Sequence, residues 1–433
     1  MSAKISRRTF TKAGAAAVGL TAVSASRVLG ANERVRLGFV GVANRGCQVM
    51  RGFQDQKDAE VAALCDVDKK VLAAAVAKAG GAVATYADFR KLFELKGLDA
   101  AVIATPDHWH AIQTIAACEA GLDVYVEKPL SITVREGRRM VDAARRTRKV
   151  VQVGLHRRSS PLYAGLAKVI GAGGIGKVTV ARCYRLSNMF PKGMGKLPTG
   201  EPPAHLDWDL WLGPRPKRPY QANIHPYKFR WWRLYSSQMA NWGVHYLDAI
   251  RWATGDVAPA SICAMGGKFA VDDDRTVPDT MEAVFEFASG RLAIFGQYEA
   301  SGNRALAAGE IEFRGTQGTI YSSGNRYEVV PERGGQFNSR EPRMKAREVE
   351  AEGGNRDLTS LHARNFLDCV KSRKKPNADV EIGHRSTTMA LLANISLATR
   401  SRLEWDAERE AITNNAEANK LLHYDYRKPW VLR

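Results

Sequence analysis

Cysteine is scarce in this sequence: 433 residues contain six, far apart and without a Cys-x-x-Cys pair. This excludes a small disulfide-stapled scaffold and leaves no zinc or redox motif, so we expect small buried thiols. No helix-turn-helix, zinc-finger or RNA-binding aromatic motif is present, which argues against nucleic acid as a partner. The apolar run at 13–25 is shorter than the roughly 20 residues that cross a bilayer. We therefore expect no stable membrane insertion.

Acidic residues are few relative to basic ones: 45 Asp and Glu stand against 64 Lys and Arg, a formal net charge of +19. The composition, 45% hydrophobic and 25% charged, is that of a folded globular protein. At roughly 150 residues per domain, the length predicts two or three domains. Five of the positive charges lie within residues 1–30, which contain no acid. The remaining charge is spread along the chain, as is typical of a solvated surface.

The N-terminal charges belong to a targeting pattern. Ser6-Arg7-Arg8-Thr9-Phe10 precedes the short apolar run, and small residues follow before Asn32. This order predicts a cleavable signal over 1–31, and the paired arginines indicate export to the periplasm by the twin-arginine translocase. The alternative is a basic amphipathic N-terminal helix. Because the twin-arginine route carries folded proteins, it favours a protein that acquires a cofactor before export.

A dinucleotide site is predicted after residue 34. An apolar strand at 34–40 leads into the glycine turn Gly41-Val42-Ala43-Asn44-Arg45-Gly46, and a helix follows to about residue 54. In this context a dinucleotide diphosphate rests on the backbone N–H groups at the helix N-terminus. Ala43 stands where the fingerprint has its middle glycine, and alanine still permits close approach of the backbone.

Asp66 predicts which dinucleotide is bound. It follows the second apolar strand, 61–65, where a carboxylate accepts hydrogen bonds from both ribose hydroxyls and repels a 2′-phosphate. This favours NAD over NADP, although Arg45, Lys69 and Lys70 could instead accommodate the phosphate. The other interpretation of Asp66 is an N-cap for a helix at 68–79.

The rest of the chain predicts two kinds of sheet. Strands at 99–104, 123–126 and 150–153 each lead into a polar loop, which predicts an α/β domain with a doubly wound parallel sheet and its ligand at the carboxyl ends of the strands. From residue 177 longer alternating strands joined by glycine turns predict a mainly antiparallel sheet. These strands are expected at 177–186, 261–270, 281–287, 291–299, 310–315 and 318–321.

The domain organisation follows from this change of pattern. A charged segment at 331–357 predicts a solvated loop or arm, and helices are expected at 359–371 and 384–400. The predicted division is a signal at 1–31, a dinucleotide-binding Rossmann domain at 32–155, a substrate and oligomerisation domain at 156–402, and a C-terminal tail at 403–433.

Three motifs resemble the Gfo/Idh/MocA oxidoreductase family: the glycine turn, Ala104-Thr105-Pro106 followed by His110, and Glu127-Lys128-Pro129. The resemblance implies a Rossmann domain joined to an α+β domain whose large open sheet forms dimers or tetramers through one face. It also implies NAD, or NADP, as cofactor and a sugar or cyclic polyol as substrate. The predicted cofactor-binding residues are Gly41, Ala43, Asn44, Arg45, Gly46, Asp66, Thr105, Pro106, His110, Glu127 and Lys128.

The resemblance also implies the catalytic residues, with Lys128 beside the nicotinamide and the substrate hydroxyl. An ammonium next to a positively charged ring has a depressed pKa, so it relays the proton of an alcohol that loses hydride. The family has Asp-x-Gly-x-His where this chain has Asn241-Trp242-Gly243-Val244-His245. An amide holds a hydroxyl but accepts no proton, which leaves His245 as the predicted base and Lys128 as its partner. Asp248 either orients that imidazole or has an ordinary structural role.

Further substrate contacts are expected from two segments. His156 and Arg158 follow the strand at 150–153, where an interdomain ion pair is the alternative. Residues 225–233 concentrate aromatic rings and guanidinium groups, which suits a carbohydrate, and core packing is the alternative there. His108 and His110 lack the i, i+4 spacing of helical zinc sites, so no metal is predicted. The predicted substrate-binding residues are Lys128, His156, Arg158, Arg230, Trp231, Asn241 and His245.

Three functions follow from these residues. The first is hydride transfer between the nicotinamide and a sugar or cyclic polyol, with a tightly bound cofactor because free NAD is scarce outside the cytoplasm. The second is redox-assisted glycoside cleavage, in which transient oxidation of a ring carbon acidifies the neighbouring C–H and a base eliminates the glycosidic substituent. The third is a non-catalytic sugar-binding protein.

Overall fold

The computed structural model describes residues 34–351 and 357–433. The predicted signal at 1–31 lies outside these residues, and so does part of the loop predicted at 331–357. No helix in the described ranges has the length and apolar content needed to cross a membrane.

The first domain is a parallel sheet covered by helices on both faces. Its strands are β1 Val35–Val40, β2 Ala59–Cys65, β3 Ala84–Tyr86, β4 Ala100–Ile103, β5 Asp123–Val126 and β6 Val151–Val153. Their spatial order is β3-β2-β1-β4-β5-β6, and every pairing is parallel. All residues of β4, β5 and β6 are buried, as in sheets sandwiched between helices. The predicted doubly wound sheet is confirmed.

The sheet has one strand more than the apolar runs predicted. Strand β3 is three residues long and only partly buried at the sheet edge, so it carries no apolar signal of its own. The helices of this domain are α1 Asn44–Gln54, α2 Lys69–Ala79, α3 Phe89–Phe93, α4 His110–Glu119 and α5 Val134–Thr147.

The second domain is built on one large, mostly antiparallel sheet. Its strands are β7 Val178–Asn188, β10 Ser261–Gly267, β11 Thr280–Phe287, β12 Arg291–Tyr298, β13 Ala300–Ser301, β14 Ile311–Gly315, β15 Gly318–Ser322, β16 Arg326–Pro331, β17 Arg347–Glu350, β18 Leu403–Asp406 and β19 Ala411–Ile412. Their order is β17-β16-β15-β14-β7-β12-β11-β10-β18-β19, with β13 beside β7. The pairing of β7 with β12 is parallel, and the others are antiparallel.

Helices cover one face of this sheet: α6 Pro161–Gly171, α8 Val244–Thr254 and α10 Val380–Thr399. Along β11 the residues Met281, Ala283, Phe285 and Phe287 are buried and their neighbours are more exposed, which is the alternation expected of a one-sided sheet. Helix α9, Leu358–Ser372, instead packs on the first domain, where Phe366 meets Phe53 and Tyr125 edge-on.

Two predictions of secondary structure change. The charged segment expected as a loop contains β17, whose exposed residues pair with β16 at the sheet edge. Helix α10 begins four residues earlier than predicted, because the Asp379 side chain caps it by accepting from Glu381 N.

Between the two domains runs a segment that we call the cap segment, residues 199–235. It contains β8 Thr199–Gly200, α7 Trp208–Leu212 and β9 Tyr220–Gln221. Towards the C-terminus, after α11 Ala416–Lys420, the chain returns to the first domain. There Tyr426 donates to Glu136 at 2.6 Å, and the Trp430 ring lies 4.7 Å from that of Trp109.

Candidate active site

A cleft of about 390 Å³ opens at the carboxyl edge of the parallel sheet. It lies where the strand order reverses between β1 and β4, the position at which doubly wound sheets bind ligands. The predicted cofactor-binding residues line it, except Gly46 and His110. Of the predicted substrate-binding residues, Lys128, His156, Arg230, Asn241 and His245 line it, whereas Arg158 and Trp231 do not.

The glycine turn is shaped for a diphosphate. Gly41 has φ +80°, and α1 begins after Ala43 without a side chain bonded to its first N–H groups. Those groups and the helix dipole are therefore available to an anion. Gly46 contributes by its size, because a Cβ there would lie 1.9 Å from the Gly41 carbonyl oxygen. The residues present thus fit the diphosphate of NAD.

Asp66 lies at the ribose end of the cleft. Its carboxylate accepts from Val42 N and Asp68 N, each at 2.9 Å, and burial raises its pKa to about 6. Its interpretation as a helix cap is wrong, because Asp68 caps α2 by accepting from Lys70 N and Val71 N. Asp66 remains available to a ribose.

Arg45 is engaged by two side chains of the cleft, Glu127 and His156. Its Nε donates to Glu127 Oε1 at 3.0 Å, and its Nη2 lies 2.6 Å from His156 Nε2. Burial alone would raise the pKa of Glu127, but Arg45 and His156 outweigh it and hold that pKa well below its usual value. Of the three bases considered for NADP, Lys69 and Lys70 remain as exposed side chains.

Lys128 lines the cleft, and the peptide bond that joins it to Pro129 is cis. Its Nζ donates to Asn241 Oδ1 at 2.6 Å and to the Asn241 carbonyl oxygen at 3.0 Å. Burial lowers its pKa to about 8, aided by Arg230 and Arg45 and opposed by Glu127 and Asp107. Two positions of the tetrahedral nitrogen are taken by Asn241, which leaves one for a substrate in the cleft.

His245 projects from α8 into the same cleft. Burial, with the positive charges of Lys128 and Arg157, keeps its pKa well below the ordinary value. Its ring nitrogens have no hydrogen-bond partner among residues 34–351 and 357–433. Asp248 does not orient this ring, because its carboxylate pairs with Arg158 at 2.8 Å and accepts from Ser386 Oγ at 2.7 Å. The structural interpretation of Asp248 is the correct one.

Four predicted site residues act from behind the cleft wall. Arg158 forms its ion pair with Asp248 inside the second domain, and Trp231 is a core residue whose Nε1 donates to Glu299 at 3.0 Å. His110 is buried between the carbonyl oxygens of Pro129 and Thr105, at 2.8 and 2.9 Å, so it holds two cleft loops together. Gly46 has the packing role described above.

The cleft also contains residues that the sequence did not select. Asp107 is buried beside Lys128 and Arg230, and its Oδ2 accepts from Ser236 Oγ. Burial raises its pKa. Its place directly after Thr105-Pro106, at the end of β4, is a signal that could have identified it. Trp242 lines the cleft with Arg185 stacked 3.8 Å from its ring centroid, and no pattern in the sequence joins these two.

The cap segment closes the ribose end. Asp207 N donates to Val67 O at 3.0 Å, Lys69 N donates to His205 O at 2.9 Å, and His205 Nδ1 lies 3.0 Å from Asp68 Oδ1. Leu210, Trp211 and His225 then form part of the cleft wall. The Trp211 carbonyl oxygen accepts from His108 Nε2 and Trp109 Nε1, each at 2.9 Å. His108 thus anchors the cap segment.

Metal-binding geometry is absent from the described part of the chain. No group of three or more His, Cys, Asp or Glu side chains in residues 34–351 and 357–433 is arranged to hold an ion.

A glycine turn, an acid after β2 and a buried lysine thus lie together at one edge of the parallel sheet. Residues 35–155 match the NAD-binding Rossmann fold of the Gfo/Idh/MocA oxidoreductase family, and residues 165–432 match the C-terminal alpha/beta domain of that family. The chain belongs to this family.

Relatives support this membership over parts of their length. Inositol 2-dehydrogenase 1 of Saccharopolyspora erythraea is 36% identical over 151 residues, 34% of this chain and 45% of that protein. Glycosyl hydrolase family 109 protein 1 of a Shewanella species is 37% identical over 125 residues, 27% of each chain. The matched stretch thus spans less than half of these relatives. An oxidoreductase domain protein from Kribbella flavida has the same fold, with a TM-score of 0.67 and 20% identity over 86% of this chain and 99% of that one.

Proposed function

We propose that the protein transfers hydride between a bound NAD and a carbon of a sugar or cyclic polyol. The observation that carries this proposal is the placement of Lys128 Nζ, held by Asn241 in the cleft that also contains the glycine turn and Asp66. When bound, NAD supplies the hydride acceptor or donor. The similarity to an inositol 2-dehydrogenase supports a polyhydroxylated substrate.

In this proposal Lys128 and His245 exchange the roles expected from the sequence. Neutral Lys128 bonds Asn241 through two N–H groups, and its lone pair takes the proton of the substrate hydroxyl as that alcohol becomes a carbonyl. A pKa of about 8 suits this transfer near neutral pH. Burial and the charge of Lys128 hold the pKa of His245 well below its usual value, which favours the neutral ring, and in this proposal that ring accepts a hydrogen bond from a substrate hydroxyl and orients it.

The test is to incubate the purified protein, with its cofactor, with a panel of inositols, monosaccharides and disaccharides while following reduced nicotinamide absorbance and products. We expect Lys128→Met to lower turnover by roughly 10²- to 10⁴-fold while NAD stays bound. The oxidation rate should rise as the pH increases through about 8, because Lys128 then loses its proton. Unchanged turnover in Lys128→Met would refute the assignment.

The protein also retains its cofactor in this proposal. The support is the cap segment, which bridges from the second domain to Val67, Asp68 and Lys69 over the ribose end of the cleft. A retained cofactor must be regenerated within the enzyme, either by a second substrate or by reversal of the hydride transfer. Denaturing the purified protein should release nicotinamide into the supernatant, and a supernatant without it would count against retention.

A second candidate reaction is redox-assisted glycoside cleavage. The similarity of the first domain to a glycosyl hydrolase family 109 protein favours it. Such a reaction consumes no external oxidant, which suits a retained cofactor. Release of free sugar from a glycoside with no lasting change in reduced nicotinamide absorbance would select this candidate over net oxidation.

Export and assembly complete the proposal. Residues 1–31 form a twin-arginine signal that sends the folded protein to the periplasm, as the Arg7-Arg8 motif and the short apolar run indicate. Replacing both arginines with lysine should leave the protein in the cytoplasm.

The protein also forms a homo-oligomer in this proposal, in which the uncovered face of the large sheet pairs with a second copy. Light scattering would detect the oligomer as a multiple of the chain mass. The exposed Met265 and Leu292 support this.

A further inference from the structure

A series of hydrogen bonds runs from Lys128 into the second domain. Lys128 Nζ donates to Asn241 Oδ1 at 2.6 Å, Asn241 Nδ2 donates to Gln238 Oε1 at 3.2 Å, and Gln238 Nε2 donates to Glu299 Oε1 at 2.7 Å. We call Asn241, Gln238 and Glu299 the amide chain. All three side chains are buried, and only Asn241 lines the cleft.

The direction of the amide chain is determined at its Glu299 end. A carboxylate only accepts hydrogen bonds, and Glu299 also accepts from Arg275 Nη1 at 2.6 Å and from Trp231 Nε1. Arg275, which only donates, is buried and held through its Nε by Asp273 at 2.9 Å. Gln238 must therefore turn its NH₂ group to Glu299 and its oxygen to Asn241. Asn241 must then turn its own oxygen to Lys128.

We propose that Glu299, acting through Gln238, sets the orientation of the Asn241 amide so that its oxygen faces Lys128 Nζ. Gln238 and Glu299 are thus positioning residues for the lysine. The proposal deepens the proposed function, and its consequence for catalysis rests on Lys128 as the proton acceptor. The charged and titratable groups near Lys128, apart from the amide chain, are Glu127, Arg230, Asp107, Arg45, His156 and His245.

Each of two substitutions reverses the direction of the hydrogen bond at one end of the amide chain. In Glu299→Gln the new NH₂ group cannot face the donors of Arg275, so it faces Gln238 and turns both amides around. Asn241 then presents an N–H to Lys128. In Asn241→Asp the new carboxylate requires a donor from Gln238, whose oxygen is then forced against Glu299. Combined, the two substitutions give a reversed chain in which every donor meets an acceptor.

The experiment uses the full chain with its bound cofactor and two measurements that need no substrate. One is the pH midpoint for labelling Lys128 with a small amine-reactive reagent, read by peptide mass spectrometry, and the other is the melting temperature. Asp273→Asn is the matched control, because it removes a carboxylate from the same Arg275 without entering the amide chain. Because neither measurement needs a substrate, a failed sugar assay does not affect this test.

We expect Glu299→Gln to lower the Lys128 midpoint by about one pH unit, since an N–H then faces the ammonium, and the control to lower it less. The single substitution Asn241→Asp should lower the melting temperature. Adding Glu299→Gln to it should restore the melting temperature, whereas adding Asp273→Asn should not. The proposal is overturned if the double variant with Glu299→Gln melts no higher than the double variant with Asp273→Asn.

A second route covers the case in which Glu299→Gln fails to fold. Gln238→Met keeps the length of the side chain but transmits no direction, because a thioether has no N–H donor. Asn241→Asp should then lower the melting temperature less in the Gln238→Met background than in the wild type. Equal losses in the two backgrounds would overturn the proposal.

Discussion

At the scale of single residues, burial shifts the pKa values of two groups in the cleft, Asp66 and Lys128, in opposite directions. Burial raises the pKa of Asp66 to about 6 and lowers that of Lys128 to about 8. The two groups therefore change charge on either side of neutral pH. Asp66 should govern cofactor affinity at acidic pH, and Lys128 should govern proton transfer at mildly basic pH.

Asp66 makes NAD affinity depend on pH. A ribose hydroxyl donates best to the ionised carboxylate, and this form is lost as the pH falls below about 6. The dissociation constant for NAD should then rise by about tenfold per pH unit. Isothermal titration between pH 5 and 8 measures this. Asp66→Asn is the control and should bind weakly with no such slope; an equally steep slope in that variant would contradict the assignment.

Gly46 tests the glycine turn. Gly46→Ala places a Cβ 1.9 Å from the Gly41 carbonyl oxygen, so helix α1 must move away from β1. We expect NAD affinity to fall at least about tenfold, because the N–H groups of α1 no longer meet the diphosphate. Gly165→Ala is the control, since a Cβ at that helical position meets no atom within 4 Å. Equal affinities in the two variants would contradict the close approach.

At the scale of elements, the cap segment bridges the two domains beside the cleft. Residues of the second domain reach the end of β2 through hydrogen bonds to Val67 and Lys69 and through the contact of His205 with Asp68. The two residues of this contact are 137 positions apart along the sequence.

The contact of His205 with Asp68 should slow cofactor release. His205→Ala removes this contact and leaves the N-cap of α2 intact. We expect NAD to dissociate about tenfold faster, which corresponds to the loss of about 1.4 kcal/mol of interaction free energy. The effect on the melting temperature should be smaller. Stopped-flow fluorescence of bound NADH measures the rate. The control is Lys217→Ala on the same segment, whose contact with Asp209 stays within the cap segment. Equal rates in both variants would show that this contact does not close the cleft.

The elements themselves differed in how far the sequence predicted them. Strands β1, β4 and β5 are short apolar runs ending in glycine or polar loops, so both their place and the loops that follow were predictable. Strand β3 and strand β17 are held by pairing with a neighbour rather than by burial, so the pattern of residues did not mark them. The start of α10 depended on the cap supplied by Asp379.

At the scale of the whole molecule, the C-terminal segment joins the two domains behind the cleft. Trp430 packs against Trp109 and Phe89, and the Arg90 guanidinium lies 5.1 Å from its ring. Arg427 donates to the Asp209 side chain at 2.7 Å and to the Gly213 carbonyl oxygen at 2.9 Å in the cap segment. The segment expected only as a tail therefore supports the cleft wall from outside.

Trp430 tests this support. Trp430→Ala removes two aromatic contacts and one cation–π contact, so we expect the free energy of unfolding to fall by about 1–3 kcal/mol. Urea unfolding of the protein with its cofactor bound measures this. Val431→Ala, at a residue 60% exposed, is the control and should change little. A Trp430→Ala variant as stable as that control would show that the segment does not hold the domains together.

Local patterns in the sequence determined the parallel sheet, the glycine turn, the lysine of Glu127-Lys128-Pro129 and the histidine at 245. These features depend on residues close along the chain, where hydrophobic period, turn geometry and motif spacing leave their mark. Only the tertiary structure decided what surrounds them. Arg158 pairs with Asp248 and not with a substrate, and Asp107 lies beside Lys128. The amide of Asn241 takes its direction from Glu299, because charge and hydrogen-bond polarity act between residues that only folding brings together.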